Sequence, residues 1–203
     1  KRNEETLVYV MKAVESTSEA IAVSDARGRH FYQNRAFTEL FGYASAGELA
    51  AVGGIHAVSK DPQVTRRRLE ALTQGKSWAG ELEMVTKSGR VFQAYNHADA
   101  IKDSNGDVIG LIGIITDITE RKHAEATLRL FKDLVQHSSD AVGMSTPDGK
   151  HYFQNAAFDC MFGDVGRRPN QTLYVDKRIG EQVFDTIMHG GRWQGEVEMF
   201  KQD

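Results

Sequence analysis

The sequence predicts an α+β fold written twice, each copy running through two short strands, several short helices and then longer antiparallel strands. Three observations carry this. Residues 90–101 alternate, with Phe92, Ala94, Asn96, Ala98 and Ala100 on one face and Gln93, Tyr95, His97 and Asp99 on the other. Helix start signals at Asn34, Ser45 and Asp61 stand between the strand patterns. Residues 7–42 also align without a gap to 128–163, at a shift of 121 residues. The identical pairs include Ser18/Ser139, Gly28/Gly149, His30/His151, Asn34/Asn155, Phe37/Phe158 and Phe41/Phe162. Trp78-Ala-Gly-Glu-Leu-Glu-Met84 recurs as Trp193-Gln-Gly-Glu-Val-Glu-Met199 at a shift of 115, so a loop in the second copy is six residues shorter. A period this long marks a duplicated domain rather than a solenoid unit.

Each element has its own justification. Leu7, Val10, Met11 and Val14 fall at helical spacing and predict a leading amphipathic helix over 1–17. Residues 20–24 and His30–Gln33 read as strands joined at Asp25-Ala-Arg-Gly28. Asn34 then caps a helix that carries Phe37, Leu40 and Phe41 and stops at Gly42. Ser45-Ala-Gly-Glu48 resembles a capping box, and Asp61-Pro62 starts a longer helix ending near Gly75. Strands are expected at about 78–87, 90–101 and 108–117. In the first of these, Trp78, Gly80, Leu82 and Met84 oppose Glu81 and Glu83. In Thr116-Asp-Ile-Thr-Glu-Arg-Lys122, Asp117 can cap a new helix and Glu120 can reach back to it. Asp117 and Arg121 are also spaced for an ion pair. The domains follow as 18–118, a connecting helix over 119–137, and 138–203. The second copy turns at Thr146-Pro-Asp-Gly149, has a further helix from Asp176 to Gly190, and lacks its last two strands.

Bulk properties exclude several functions. A net charge of −3 gives no general pull toward nucleic acid or an acidic membrane. Arg66-Arg67-Arg68 reads as a solvated helix face. Cys160 is the chain's single cysteine, which points to a reducing compartment, and it reads as a small buried apolar residue. No apolar run approaches the roughly 20 residues of a membrane span. The start at Lys1 rather than methionine points to a piece of a longer protein. No phosphate loop, no nucleophile with its base and no metal-ligand spacing is present, so an enzyme has little support.

Taken in order, the residues resemble a tandem pair of PAS (S-box) sensory domains. The resemblance rests on Asp25-Ala-Arg-Gly28, Asn34-Arg-Ala-Phe37, Phe41-Gly-Tyr43 and Trp78-Ala-Gly-Glu81. Lys87-Ser-Gly89, Asn105-Gly106 and Asp117-Ile-Thr-Glu-Arg-Lys122 complete it. It implies a five-stranded antiparallel sheet with helices cupping one face around a small-molecule pocket. It also implies a cytoplasmic input module whose output is a two-component histidine kinase or a cyclic-dinucleotide enzyme, and a homodimer formed through flanking helices. By the same likeness Asp117, Ile118, Thr119 and Arg121 are signal-transmission residues.

Residues that can border the pocket are Phe41, Trp78, Met84 and Asn96, with Trp193 and Met199 in the second copy. Asn96 falls on the apolar face, where its amide needs a backbone, water or ligand partner. The cofactor stays open: none, or a small organic ligand, is favoured, with flavin as the alternative and haem disfavoured. Flavin-binding relatives place asparagine where Met84 and Met199 stand, and methionine lacks the amide's paired donor and acceptor. The Asn-Cys-Arg-Phe-Leu-Gln motif of light-sensing members is absent, and His189 is a poorly placed haem ligand. His30 and His151 read as surface strand residues, and His97 falls on the outer sheet face. Two functions remain: a ligand-sensing input module that relays through the connecting helix, or a ligand-free PAS pair for dimerisation and relay.

Overall fold

The computed structural model describes residues 2–146, 150–166 and 173–201. The chain divides into two compact units, Lys1–Ala124 and Glu125–Asp203. In the first, helix α1 (Arg2–Ser16) precedes strands β1 (Ala20–Asp25) and β2 (His30–Gln33). Helices α2 (Arg35–Phe41) and α3 (Ala46–Ala51), a 3₁₀ turn (Gly54–His56) and α4 (Pro62–Thr73) follow. Strands β3 (Trp78–Val85), β4 (Val91–Lys102) and β5 (Val108–Asp117) close the unit. The five strands form one antiparallel sheet in the order β2-β1-β5-β4-β3. The first strand of the unit therefore lies beside the last, with Ala20 opposite Ile115.

Local chemistry sets each helix start. Asn34 Oδ1 accepts from the Phe37 amide, Ser45 Oγ from Glu48, and Asp61 Oδ1 from Gln63 and Val64. The Glu48 carboxylate returns to the Ala44 amide, one residue before the cap, at 2.7 Å. Phe37 and Phe41, four apart on α2, turn the same way and stack at 4.4 Å, and Phe41 meets Phe92 of β4 at 5.5 Å. Leu49, Val58, Leu82, Met84, Ala94 and Ile115 fill the remainder of this core.

Asn34 does more than cap. Fully buried, it accepts from the Ile21 amide at 2.9 Å and donates through Nδ2 to the carbonyls of Val14 and Glu19. One side chain thus joins the end of α1, the start of β1 and the start of α2.

In the second unit, helix α5 (Thr119–Gln136) supplies the leading helix from Glu125 onward. Strands β6 (Gly143–Ser145) and β7 (His151–Gln154) and helices α6 (Ala156–Phe162) and α7 (Lys177–Met188) follow. Asn155 accepts from Val142 and Phe158 and donates to Val135 and Asp140, each partner 121 residues beyond that of Asn34. An isolated bridge between Ser59 and Met84 recurs between Tyr174 and Met199. Residues 147–149 of the expected turn lie outside the described residues.

Several expectations change. Residues 193–200 form no strand, and the described sheet of this unit has two strands only. In the first unit β4 is the strand that pairs with β3, apart from the Ser59–Met84 bridge, and among the described residues the equivalent segment keeps its bridge to Tyr174 but has no strand to ladder with. Cys160 is exposed rather than buried, because it stands two residues beyond Phe158 and faces away from it on α6. His30 and His151 are buried rather than surface residues, since each tucks its ring against the helix phenylalanine, Phe37 or Phe158.

Candidate functional site

Helix α4 carries Thr65, Arg68 and Leu72 on its buried face, at the three- and four-residue spacing that stacks side chains along one stripe. Arg66 and Arg67 are exposed as expected, but Arg68 is 1% exposed, which corrects the solvated-face reading for that residue. Its Nη1 donates to Asn96 Oδ1 on β4 at 2.7 Å. Its Nε and Nη2 are buried without a hydrogen-bond partner among the described residues. The guanidinium lies over the Trp78 ring at 5.9 Å. Burial pushes the Arg68 pKa down to about 10, which leaves the side chain protonated at neutral pH.

Asn96 is equally buried and donates from Nδ2 to the Ile114 carbonyl at 3.0 Å. Together Arg68 and Asn96 border a cavity of about 50 Å³ between the sheet and the helices. Its other walls include Ala22, His30, Leu49, Val58, Leu72, Met84 and Ile115. Among the described residues no aspartate or glutamate lines it. His30 bonds Gln33 at 3.2 Å, and desolvation by burial holds its pKa below the ordinary imidazole value.

Of the expected pocket residues, Met84 and Asn96 line this cavity. Trp78 stands behind Arg68, half-buried against the core. Phe41 is a core residue away from the cavity walls. Trp193 and Met199 are half-buried in the second unit, where Met199 bridges Tyr174. The Trp-x-Gly spacing has a steric cause: a Cβ on Gly80 would come within 3.1 Å of the Trp78 ring, and one on Gly195 within 2.7 Å of Trp193. Arg68 itself was missed because a run of three arginines reads as solvent-facing. The available signal was position: Arg68 shares its stripe with Leu72, and the residue at the same place in α7, seven after its capping Asp176, is the buried Val183.

The exit from the sheet is pinned by β4. The Ile118 amide donates to the Gln93 carbonyl at 2.9 Å, and the Gln93 amide donates to Thr119 Oγ1 at 3.2 Å. Asp117 Oδ1 accepts from the Thr119 amide, and Oδ2 takes both terminal nitrogens of Arg90 at 3.3 Å. The ion pair of Asp117 is therefore with Arg90 rather than Arg121, because the carboxylate faces back over the sheet. Arg121 reaches Glu81 of β3 at 3.0 Å, and Lys122 joins it there. Burial works against ionisation of Asp117, but bonds from Thr119 and Arg90 outweigh it and hold the pKa below the usual carboxylate range. Glu81 is held low chiefly by its bond to Lys122.

A flavin or haem does not fit the residues present. The cavity is well below the roughly 300–1,000 Å³ of sites for molecules of that size. Met84 offers no amide to a flavin edge, and the lining histidine, His30, is turned to Gln33. His189 is exposed and bonds the Asp185 carbonyl of its own helix.

The family model described as PAS domain matches residues 18–120. Among curated proteins, the nitrogen fixation regulatory protein of Klebsiella oxytoca is 23% identical over 194 residues, covering 89% of this chain and 39% of that protein. Sporulation kinase C of Bacillus subtilis is 20% identical over 135 residues, 66% of this chain and 32% of the kinase. The chain thus spans about two-fifths or less of the length of these relatives. An RNA-binding light-oxygen-voltage receptor superposes with a TM-score of 0.54 at 25% identity, over 62% of this chain and 37% of the receptor. A PAS domain from Colwellia psychrerythraea gives a TM-score of 0.50 at 26% identity, over 57% of this chain and 99% of that domain. The 2-1-5-4-3 sheet, the helices cupping its inner face and the matched span agree, and this chain belongs to the PAS domain family.

Proposed function

We propose that residues 18–118 form the ligand-receiving input domain of a cytoplasmic signal-transduction protein. A small molecule enters the cavity beside Asn96, and the change passes through Asp117–Thr119 into the helix over 119–137. One observation carries this reading. Asn96 and Gln93 lie three residues apart on β4, so one strand holds both the cavity floor and the two bonds that fix the start of α5. A shift of β4 of a fraction of an ångström at Asn96 is felt at Thr119, because a packed sheet moves as a unit.

The regulatory relatives support a histidine-kinase-type output supplied by the remainder of the parent protein, with these residues regulatory rather than catalytic. Residues 138–203 are proposed as a second domain of the same kind. Its support is the repeated asparagine network and the repeated bridge. A second reading, a ligand-free module for dimerisation and relay, is favoured by the apolar residues left exposed on α1 and α5.

Asp117→Ala in the parent protein tests the relay. It removes an exposed ion pair and one bond to a helix amide, together about 1–2 kcal/mol, so the domain still folds. The output should lose its dependence on the input signal. Unchanged signalling with a folded domain would sink the proposed route.

A further inference from the structure

Arg68 has a chemical identity that the relay does not use. The Nε and Nη2 hydrogens of a guanidinium lie parallel along one edge, which donates to both oxygens of a carboxylate at once. That edge is the empty one here, because Asn96 occupies Nη1. The Trp78 ring, over which the guanidinium carbon lies, and the Asn96 bond to Nη1 hold the orientation. A buried cation without an anion is unfavourable, and among the described residues no carboxylate lines the cavity.

The same helix position in α7 is Val183, also buried, so an arginine is not what such a helix needs to pack. The cavity of about 50 Å³ holds several times the roughly 10–15 Å³ that one water requires, yet it is far from a site for a large ring system. Its remaining walls are largely apolar, and its histidine is disfavoured from taking charge. One positive charge, two parallel donors and greasy walls define a partner with one negative charge, two coplanar oxygens and a short hydrocarbon remainder.

We propose that this cavity binds a small aliphatic monocarboxylate, its oxygens on Nε and Nη2 of Arg68 and its carbon chain against Leu49, Val58, Leu72 and Met84. This rests on the sensory reading above and names the ligand class for it.

The test titrates the 203-residue chain with propionate, propionamide, succinate and inorganic phosphate, followed by calorimetry and by the melting temperature. Propionate should bind and raise the melting temperature, while propionamide, of similar shape without the charge, should bind at least tenfold more weakly. Arg68→Val should weaken propionate at least tenfold with the fold retained by circular dichroism. If that variant fails to fold, the propionate-to-propionamide ratio in the unaltered chain still decides. Equal binding of the two compounds, equal propionate binding by a folded Arg68→Val, or tighter binding of phosphate or succinate overturns the monocarboxylate. A neutral compound found by native mass spectrometry in place of any carboxylate overturns it too, yet leaves the sensory reading standing. An empty chain that binds nothing overturns both.

Discussion

His30 shows how the environment of a single residue becomes a pH response. Its ring is packed against Phe37 and its pKa is lowered by desolvation, so the folded state resists the proton that the unfolded chain accepts near pH 6.5. The folded-state value lies below the unfolded one. As the pH falls through about 6.5 the unfolded state binds more protons, stability declines, and the decline ends once the folded value is passed. Melting temperatures measured between pH 7.5 and 5 should fall with acid for the unaltered chain. The fall should be shallower in His30→Leu, and equal slopes in the two proteins would refute the assignment. The residue scale is also where the sequence was least legible. Arg68 and His30 are polar residues on apolar faces, and burial depends on what stands opposite rather than on the residue's own character. Asn96 was legible because strict alternation in β4 leaves its side chain only one face to occupy.

Elements were legible wherever a cap or a turn residue did the work. Asn34, Ser45, Asp61 and Asp176 each stand at a helix start, and strand ends fell within about two residues of their expected places. The pairing at the exit was not legible, because helical spacing offers Asp117 the partner Arg121 while the fold brings it Arg90 from 27 positions away. Helices α1 and α5 show the converse. The resemblance implies a homodimer formed through such flanking helices, and Leu7, Val10 and Met11 of α1 and Leu128, Phe131 and Leu134 of α5 are exposed. In the proposed homodimer these stripes pack against their counterparts, burying side chains that contribute about 1.5–3 kcal/mol each. Light scattering should therefore report a dimer. Leu7→Glu with Met11→Glu should weaken it by a hundredfold or more. A wild-type chain that stays monomeric at high concentration would exclude these faces.

At the scale of the molecule, the sequence repeat between residues 7–42 and 128–163 is unevenly expressed in the described structure. The first unit closes a five-stranded sheet around its cavity, and the second has the same asparagine, the same helix phenylalanine and the same bridge around a two-stranded sheet. Composition and periodicity could count the repeats, but they could not say which segments find ladder partners. Strand formation is a property of the pair, as residues 193–200 demonstrate.

The asparagine network carries a consequence for the order in which the protein folds. Every group that Asn34 gathers lies within 20 residues of it, whereas pairing of β1 with β5 closes a loop from Ala20 to Ile115. Short loops form first, because their closure entropy is smaller. The same four bonds recur around Asn155, again within 20 residues of the asparagine. The segment from Val14 to Phe37 is therefore a candidate nucleus. Asn34→Ala should cost about 3 kcal/mol by leaving buried backbone groups unpaired, and most of that loss should appear as slower folding. Stopped-flow traces in which the variant instead unfolds faster, at an unchanged folding rate, would place the network late on the path.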